Sequence, residues 1–149
     1  MVGPRDGAFV THGVVDDAAA QVVERWRAVA EEKLGERVEL AAAFQRHYTT
    51  RGTGLPPNFC LALTPAEVVA FKFDPRHGSH PLVVNPNQLK KEVARWPRSS
   101  VRIGDLSEGR LAYGAVLRID AREVPCRTPK MGGNPAAKAV VAALGGGEL

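Results

Sequence analysis

The stretch FCLALTPAEVVAFKF, residues 59–73, decides which fold the sequence predicts. Its centre has the composition of a helix start, because Thr64 can cap a helix, Pro65 suits the first helical position and Glu67 completes a capping box. A helix there would end after about two turns, since the Asp-Pro pair that follows disfavours helical backbone. The flanking residues are mostly β-branched or aromatic, which is typical of strands. We therefore predict two strands joined by a tight turn from Thr64 to Glu67.

The composition is that of an ordinary globular protein. The chain has 149 residues, of which 44% are hydrophobic and 24% are charged, so it can bury a core without a metal or a disulfide. We predict a flexible arm over residues 1–13, which are rich in glycine and lack periodicity, and a single domain over residues 14–149. The formal net charge of +4 is compatible with anionic partners but does not require them.

Two amphipathic patterns predict helices at the ends of this domain. In the first, over residues 16–34, Val22, Trp26 and Val29 recur at steps of four and three and share one face. This stripe has to pack on the rest of the domain or on a second copy of the chain, so self-association through these three residues is one hypothesis. In the second, an Asn-Pro pair followed by an apolar face predicts a closing helix over residues 134–144.

Between the two helices, apolar residues alternate with polar ones, which is the period of strands. About seven strands are predicted over residues 36–128, mostly joined as hairpins. The polar segment from Asp74 to Glu92 is predicted to be irregular, with a helical turn around residues 89–93. The predicted fold class is therefore α+β, with an antiparallel sheet between two helices.

Four segments carry a resemblance to a known family. They are GERVELAAAF (35–44), FCLALTPAEVVAFKF (59–73), ARWPRSSVRIGD (94–105) and LAYGAVLRID (111–120). In their order and spacing, followed by one closing helix, they resemble the pleckstrin-homology-type domain in its bacterial, GRAM-like form, over residues 35–145. The resemblance implies a barrel of two curved antiparallel sheets with a C-terminal capping helix, to which this chain adds an N-terminal amphipathic helix. The closing helix lacks the tryptophan of eukaryotic members.

The same resemblance bears on anion binding. Family members that bind phosphoinositides use a basic pair on the second strand, whereas FCLALT contains no basic residue. The expected attraction to anionic headgroups is therefore loose and sensitive to salt. The candidate anion- or partner-binding residues are Arg46, Arg51, Lys72, Arg76, Lys90, Lys91, Arg95 and Arg98.

Three functional hypotheses follow from these patterns. The first is a non-enzymatic interaction module that acts through contacts with a protein, with itself or with an anionic lipid surface. The second is a nucleic-acid-binding protein, because residues 72–102 are strongly basic and contain Trp96. The third is a small-molecule-binding protein or an enzyme on an α+β roll, with an apolar pocket between the sheet and the N-terminal helix.

The sequence contains little that is typical of catalysis. His77 and His80 are weak metal candidates, because a loop places them three residues apart without a second ligand cluster. Cys60 and Cys126 lie in apolar runs and are expected to be inert, buried thiols. We predict no catalytic residues and no cofactor. No apolar run reaches the length of a membrane span, and the start lacks a secretory pattern, so we expect a cytoplasmic protein.

Overall fold

A computed structural model describes residues 3–47, 54–77, 80, 82–145 and 147, with side chains of the first helix described from residue 17 onward. Its helices are α1 (Gly3–Leu34) and α2 (Pro135–Ala143). Its strands are β1 (Leu40–Arg46), β2 (Asn58–Leu63), β3 (Glu67–Phe73), β4 (Leu89–Pro97), β5 (Val101–Glu108), β6 (Ala112–Ile119) and β7 (Arg122–Pro129).

Within the described ranges, seven strands form one antiparallel sheet in the order β4-β3-β2-β1-β7-β6-β5. Both helices contact β1 and each other. The α+β class, the antiparallel strands and the C-terminal helix packed on the sheet are thereby confirmed. The helical turn predicted around residues 89–93 is wrong, because this segment pairs with β3 as the start of β4.

The sheet is not closed into the barrel predicted over residues 36–128. Strands β4 and β5 are its two edges, and the short turn Arg98–Ser100 connects them without a ladder of hydrogen bonds. Both edges carry features that interrupt pairing. Strand β4 ends at Pro97, which has no N–H to donate, and β5 has an irregular register after Gly104, where Asp105 adopts a φ of 51°.

The hairpin predicted at residues 64–67 is confirmed. Strands β2 and β3 pair from Leu63 opposite Val68 onward. In the turn, Thr64 N donates to Glu67 O and Glu67 N donates to Thr64 Oγ1, both at a distance of 2.9 Å. The second bond is the one that a capping box would also contain. The carboxylate of Glu67 does not complete such a box and instead accepts from Arg95 Nη1 at 3.0 Å.

Helix α1 begins earlier than the sequence predicted. The expected start was residue 16, after a flexible arm over residues 1–13, whereas the helix extends from Gly3. Glycine and proline lower helix propensity but do not exclude a helix, and a proline in the first turn costs no intrahelical hydrogen bond. Pro4 lies in that first turn. The glycines of residues 3–13 therefore do not prevent a helix there.

Helix α1 lies over one face of the sheet. The rings of Trp26 and Phe73 are 5.7 Å apart, and Phe73 shares its face of β3 with Phe71. The register continues this face through Cys60 on β2 to Ala43 on β1. The small side chains of Cys60 and Ala43 allow a close approach of the helix.

The apolar stripe of α1 is used in this packing. Trp26 and Val29 are each 3% exposed, and Val22 packs partly buried against the same core. Trp26 also donates from Nε1 to Leu82 O at 3.2 Å, which ties the β3–β4 connection to the helix. Self-association through these side chains stays a prediction, and it would require this packing to open.

Helix α2 begins where the sequence predicted, with Asn134 as its N-cap. The side chain of Asn134 accepts from Ala137 N through Oδ1 and donates through Nδ2 to Thr128 Oγ1 and Pro129 O, both at 2.8 Å. Thr128 in turn donates from Oγ1 to Ala43 O at 3.0 Å. This chain of hydrogen bonds joins α2, β7 and β1.

Both cysteines are free and buried, and burial raises the pKa of each thiol to about 12 from an ordinary value of 9.0. The folded state therefore keeps protons that the unfolded chain loses above about pH 9. This contribution to stability is complete below pH 9 and is lost as the pH rises toward 12.

We expect the free energy of unfolding in urea to fall more steeply between pH 8 and pH 10.5 in the native chain than in Cys60→Ala/Cys126→Ala. If the free energy of unfolding fell equally steeply with pH in both chains, the result would contradict this role of the buried thiols.

No helix in the described part of the chain is long and apolar enough to cross a membrane.

Candidate functional site

A basic groove lies at the end of the sheet where β1 and β3 finish and where β2 and β4 begin. Its volume is about 660 Å³. The lining residues are Pro56, Pro57, Asn58, Lys72, Phe73, Asp74, Pro75, Arg76, Lys90 and Lys91. Four of the eight predicted anion-binding residues, three lysines and one arginine, are thus brought together by the pairing of β3 with β4.

The three lysines of this groove have no ion-pair partner among the described residues. Lys72 is exposed at the end of β3, and Phe73 pairs with Leu89, which brings Lys90 and Lys91 beside it. None of the three ammonium groups forms an ion pair or a hydrogen bond with any residue that the structure describes. The groove therefore presents positive charge that an incoming anion can neutralise.

Arg76 differs from the lysines, because it is held by a carboxylate at the rim. Its Nε donates to Asp74 Oδ1 and its Nη2 donates to Asp74 Oδ2, both at a distance of 3.0 Å. Asp74 raises the pKa of this guanidinium through these bonds. A bidentate pair of this kind orients the side chain. Because Asp74 already neutralises its charge, Arg76 adds less free positive charge to the groove than the lysines do.

The other arginines of the basic stretch lie elsewhere and are neutralised. Arg95 binds the carboxylates of Glu92, Glu36 and Glu67 at 2.8 to 3.0 Å, which lowers the pKa of Glu92. Arg98 binds Glu39 and donates to a backbone carbonyl at 3.0 Å. Neither guanidinium belongs to the groove. These two arginines hold the far end of the sheet together instead.

The two remaining predicted cations belong to the β1–β2 connection. Arg46 donates from Nε to Leu55 O at 2.9 Å, so it orders the end of this connection. Arg51 lies outside the described residues. Trp96, the aromatic residue of the nucleic-acid hypothesis, packs half-buried against the core. Part of its surface is therefore used in packing instead of base stacking.

Of the two weak metal candidates, only His80 has a side chain that the structure describes. His80 accepts from Leu82 N through Nδ1 at 3.2 Å, and only the backbone of His77 is described. Across the described ranges, no group of three or more His, Cys, Asp or Glu residues is arranged to hold a metal ion.

A second concavity, of about 180 Å³, lies between α1 and the sheet. Its apolar walls are Trp26, Ala43, Phe44, Phe73, Pro75, Val83 and Pro129, and its polar lining is Gln45, Asn58, His80, Gln88, Thr128 and Asn134. The sequence predicted a pocket in this position but did not name its residues. They come from α1, four strands, the β3–β4 connection and the N-cap of α2, and no local pattern connects them.

Three amides of this cavity have unused hydrogen-bonding groups. Gln88 is 3% exposed, and its Oε1 accepts from Asn85 N at 2.7 Å, while its Nε2 has no partner in the described part of the chain. Gln45 accepts through Oε1 from Arg127 Nε at 3.1 Å, and its Nε2 likewise has no partner there. The amide of Asn58 forms no side-chain hydrogen bond to the residues described.

Comparison with known proteins adds no identity to this geometry: no profile of a known protein family matches the chain, and no curated protein matches it.

Proposed function

We propose that this protein is a non-enzymatic binding module that captures an anionic group, a phosphate or a carboxylate, in the basic groove. The observation that carries this proposal is the convergence of Lys72, Lys90 and Lys91, all unpaired among the described residues, on one concave surface. Three ammonium groups held close together repel one another, and a bound anion relieves that repulsion. Arg95 and Arg98, at the far end of the sheet, are neutralised by carboxylates and do not compete for it.

The likeness to the pleckstrin-homology type supports this proposal. Apart from β4 and β5, consecutive strands are antiparallel neighbours, β1 also pairs with β7, and one helix follows the last strand. We propose that the chain is an open variant of that fold. Its groove is formed by the β1–β2 and β3–β4 connections, and its lysines on β3 and β4 substitute for basic residues that β2 lacks.

The direct test compares binding to anionic vesicles by the native chain and by the variant Lys72→Gln/Lys90→Gln/Lys91→Gln. One basic side chain near an anionic surface contributes about 1 kcal/mol, so the loss of three is expected to weaken binding roughly 100-fold or more. The measurement is cosedimentation with phosphatidylcholine vesicles that contain about one third phosphatidylserine. Higher salt is expected to weaken binding of the native chain, because the contacts are screened.

The matched control is Arg25→Gln/Lys33→Gln/Arg110→Gln, which removes the same charge from exposed positions outside the groove. It is expected to bind nearly as well as the native chain. Excess pyrophosphate distinguishes a groove for soluble phosphates from a groove for lipid headgroups. If the groove takes soluble phosphates, pyrophosphate reduces vesicle binding by the native chain more than added chloride does. Equal losses in both triple variants would refute the proposal. Retardation of duplex DNA with no vesicle binding would favour the nucleic-acid hypothesis instead.

A further inference from the structure

The apolar cavity and the basic groove adjoin each other. Asn58, Phe73 and Pro75 line both of them. A ligand group in the cavity therefore lies next to the groove that the lysines line. Phe73 presents its ring to Trp26 within the cavity, while the preceding residue, Lys72, lines only the groove.

The cavity has the size and the lining of a site for an apolar group. Its volume of about 180 Å³ is near that of the engineered apolar cavity of ~150 Å³ that takes benzene. The rings of Trp26 and Phe73 are tilted by 35° to each other and form an aromatic wall. A planar arene or a branched aliphatic group would replace empty space with contacts on that wall.

The polar lining distinguishes this cavity from a simple packing defect. Gln88 lines the cavity, and its Nε2 donates to no residue that the structure describes. Because no buried side-chain nitrogen or oxygen among the described residues lacks a partner, this Nε2 is open to the cavity, where a ligand oxygen or a water can accept from it. The amide of Asn58 lies where the cavity meets the groove, so it is placed to meet the polar junction of a ligand.

The geometry points to one ligand for both concavities: an amphiphilic anion of small size. Its aromatic or branched aliphatic part occupies the cavity beneath Trp26, an oxygen at its junction accepts from Gln88 or Asn58, and its carboxylate, sulfonate or phosphate meets Lys72, Lys90 and Lys91. This inference rests on the proposed function of the groove and adds the class of ligand to it.

The test uses three probes and isothermal titration calorimetry of the full chain. 1-Naphthylacetate carries an arene and a carboxylate, 1-naphthylacetamide is its neutral counterpart, and acetate lacks the arene. We expect 1-naphthylacetate to bind at least about tenfold more tightly than either of the others, because only it fills both concavities. In the triple-lysine variant this preference over the amide is expected to disappear.

The cavity is tested separately by Ala43→Leu, which places a larger side chain in its wall, with Ala66→Leu in the exposed β2–β3 turn as the matched control. Ala43→Leu is expected to lose about tenfold or more in affinity for 1-naphthylacetate, and the control is expected to lose none. If Ala43→Leu does not fold, Val83→Trp at the exposed rim serves the same purpose.

The outcomes separate the two proposals. Vesicle binding by the native chain, together with equal affinity for acetate and 1-naphthylacetate, overturns the inference about the cavity and leaves the proposed function of the groove intact. Equal affinity for 1-naphthylacetate in the native chain and the triple-lysine variant overturns the shared site.

Discussion

Replacing Trp26 by alanine is expected to lower the free energy of unfolding by about 3–5 kcal/mol, the usual result of truncating a buried tryptophan. Trp26 is 3% exposed, contacts the ring of Phe73 and donates a hydrogen bond to Leu82 O. Its removal opens the space between α1 and the sheet and leaves that carbonyl without its donor. Urea denaturation followed by circular dichroism measures the change.

Trp26→Phe is the control, because it keeps an aromatic ring and loses only the Nε1 donor and part of the contact surface. It is expected to cost about 1–2 kcal/mol, of which the hydrogen bond accounts for roughly half. A loss below about 1 kcal/mol in Trp26→Ala would show that α1 does not pack on the sheet through this residue.

Asn134→Ala is expected to cost about 2–4 kcal/mol. The substitution removes the N-cap of α2, which contributes about 0.5–2 kcal/mol. It also removes both donors to Thr128 Oγ1 and Pro129 O. In addition, Asn134 has a φ of 45°, a left-handed conformation that costs an alanine roughly 1–2 kcal/mol.

The control at this position reverses the usual order of alanine and glycine. Glycine adopts a positive φ without strain, so Asn134→Gly is expected to be more stable than Asn134→Ala by about 1 kcal/mol. The measurement is the midpoint of urea denaturation of the two variants with a common slope. An alanine variant as stable as the glycine variant would contradict the account of this cap.

The elements that the sequence predicted correctly have local causes. The reversal at residues 64–67 follows from strand-forming side chains on both sides of a turn, and α2 follows from an Asn-Pro start with an apolar face. The capping-box pattern was ambiguous, because Thr64 Oγ1 accepts from Glu67 N in this hairpin as it would in a helix. The destination of the Glu67 carboxylate, on Arg95, and the bond from Thr64 N to Glu67 O separate the hairpin from a capped helix.

The remaining features depend on partners distant in the sequence. The charge pattern could not separate Lys90 and Lys91 from Arg95 and Arg98, although in the described part of the chain the two arginines have carboxylate partners and the two lysines have none. The carboxylates that neutralise the two arginines include partners 59 residues away. The open sheet has a similar cause, since closure depends on whether two edge strands pair and no local signal reports it.

The central claim is that an anion binds among the lysines of the groove, and a titration of the ¹⁵N-labelled chain with pyrophosphate tests it most directly. The account predicts that the largest changes in amide chemical shift occur at Lys72, Arg76, Lys90 and Lys91, and that the amides of Lys33 and Arg110 stay unchanged. Changes spread evenly over exposed basic residues, or centred away from the groove, would contradict it.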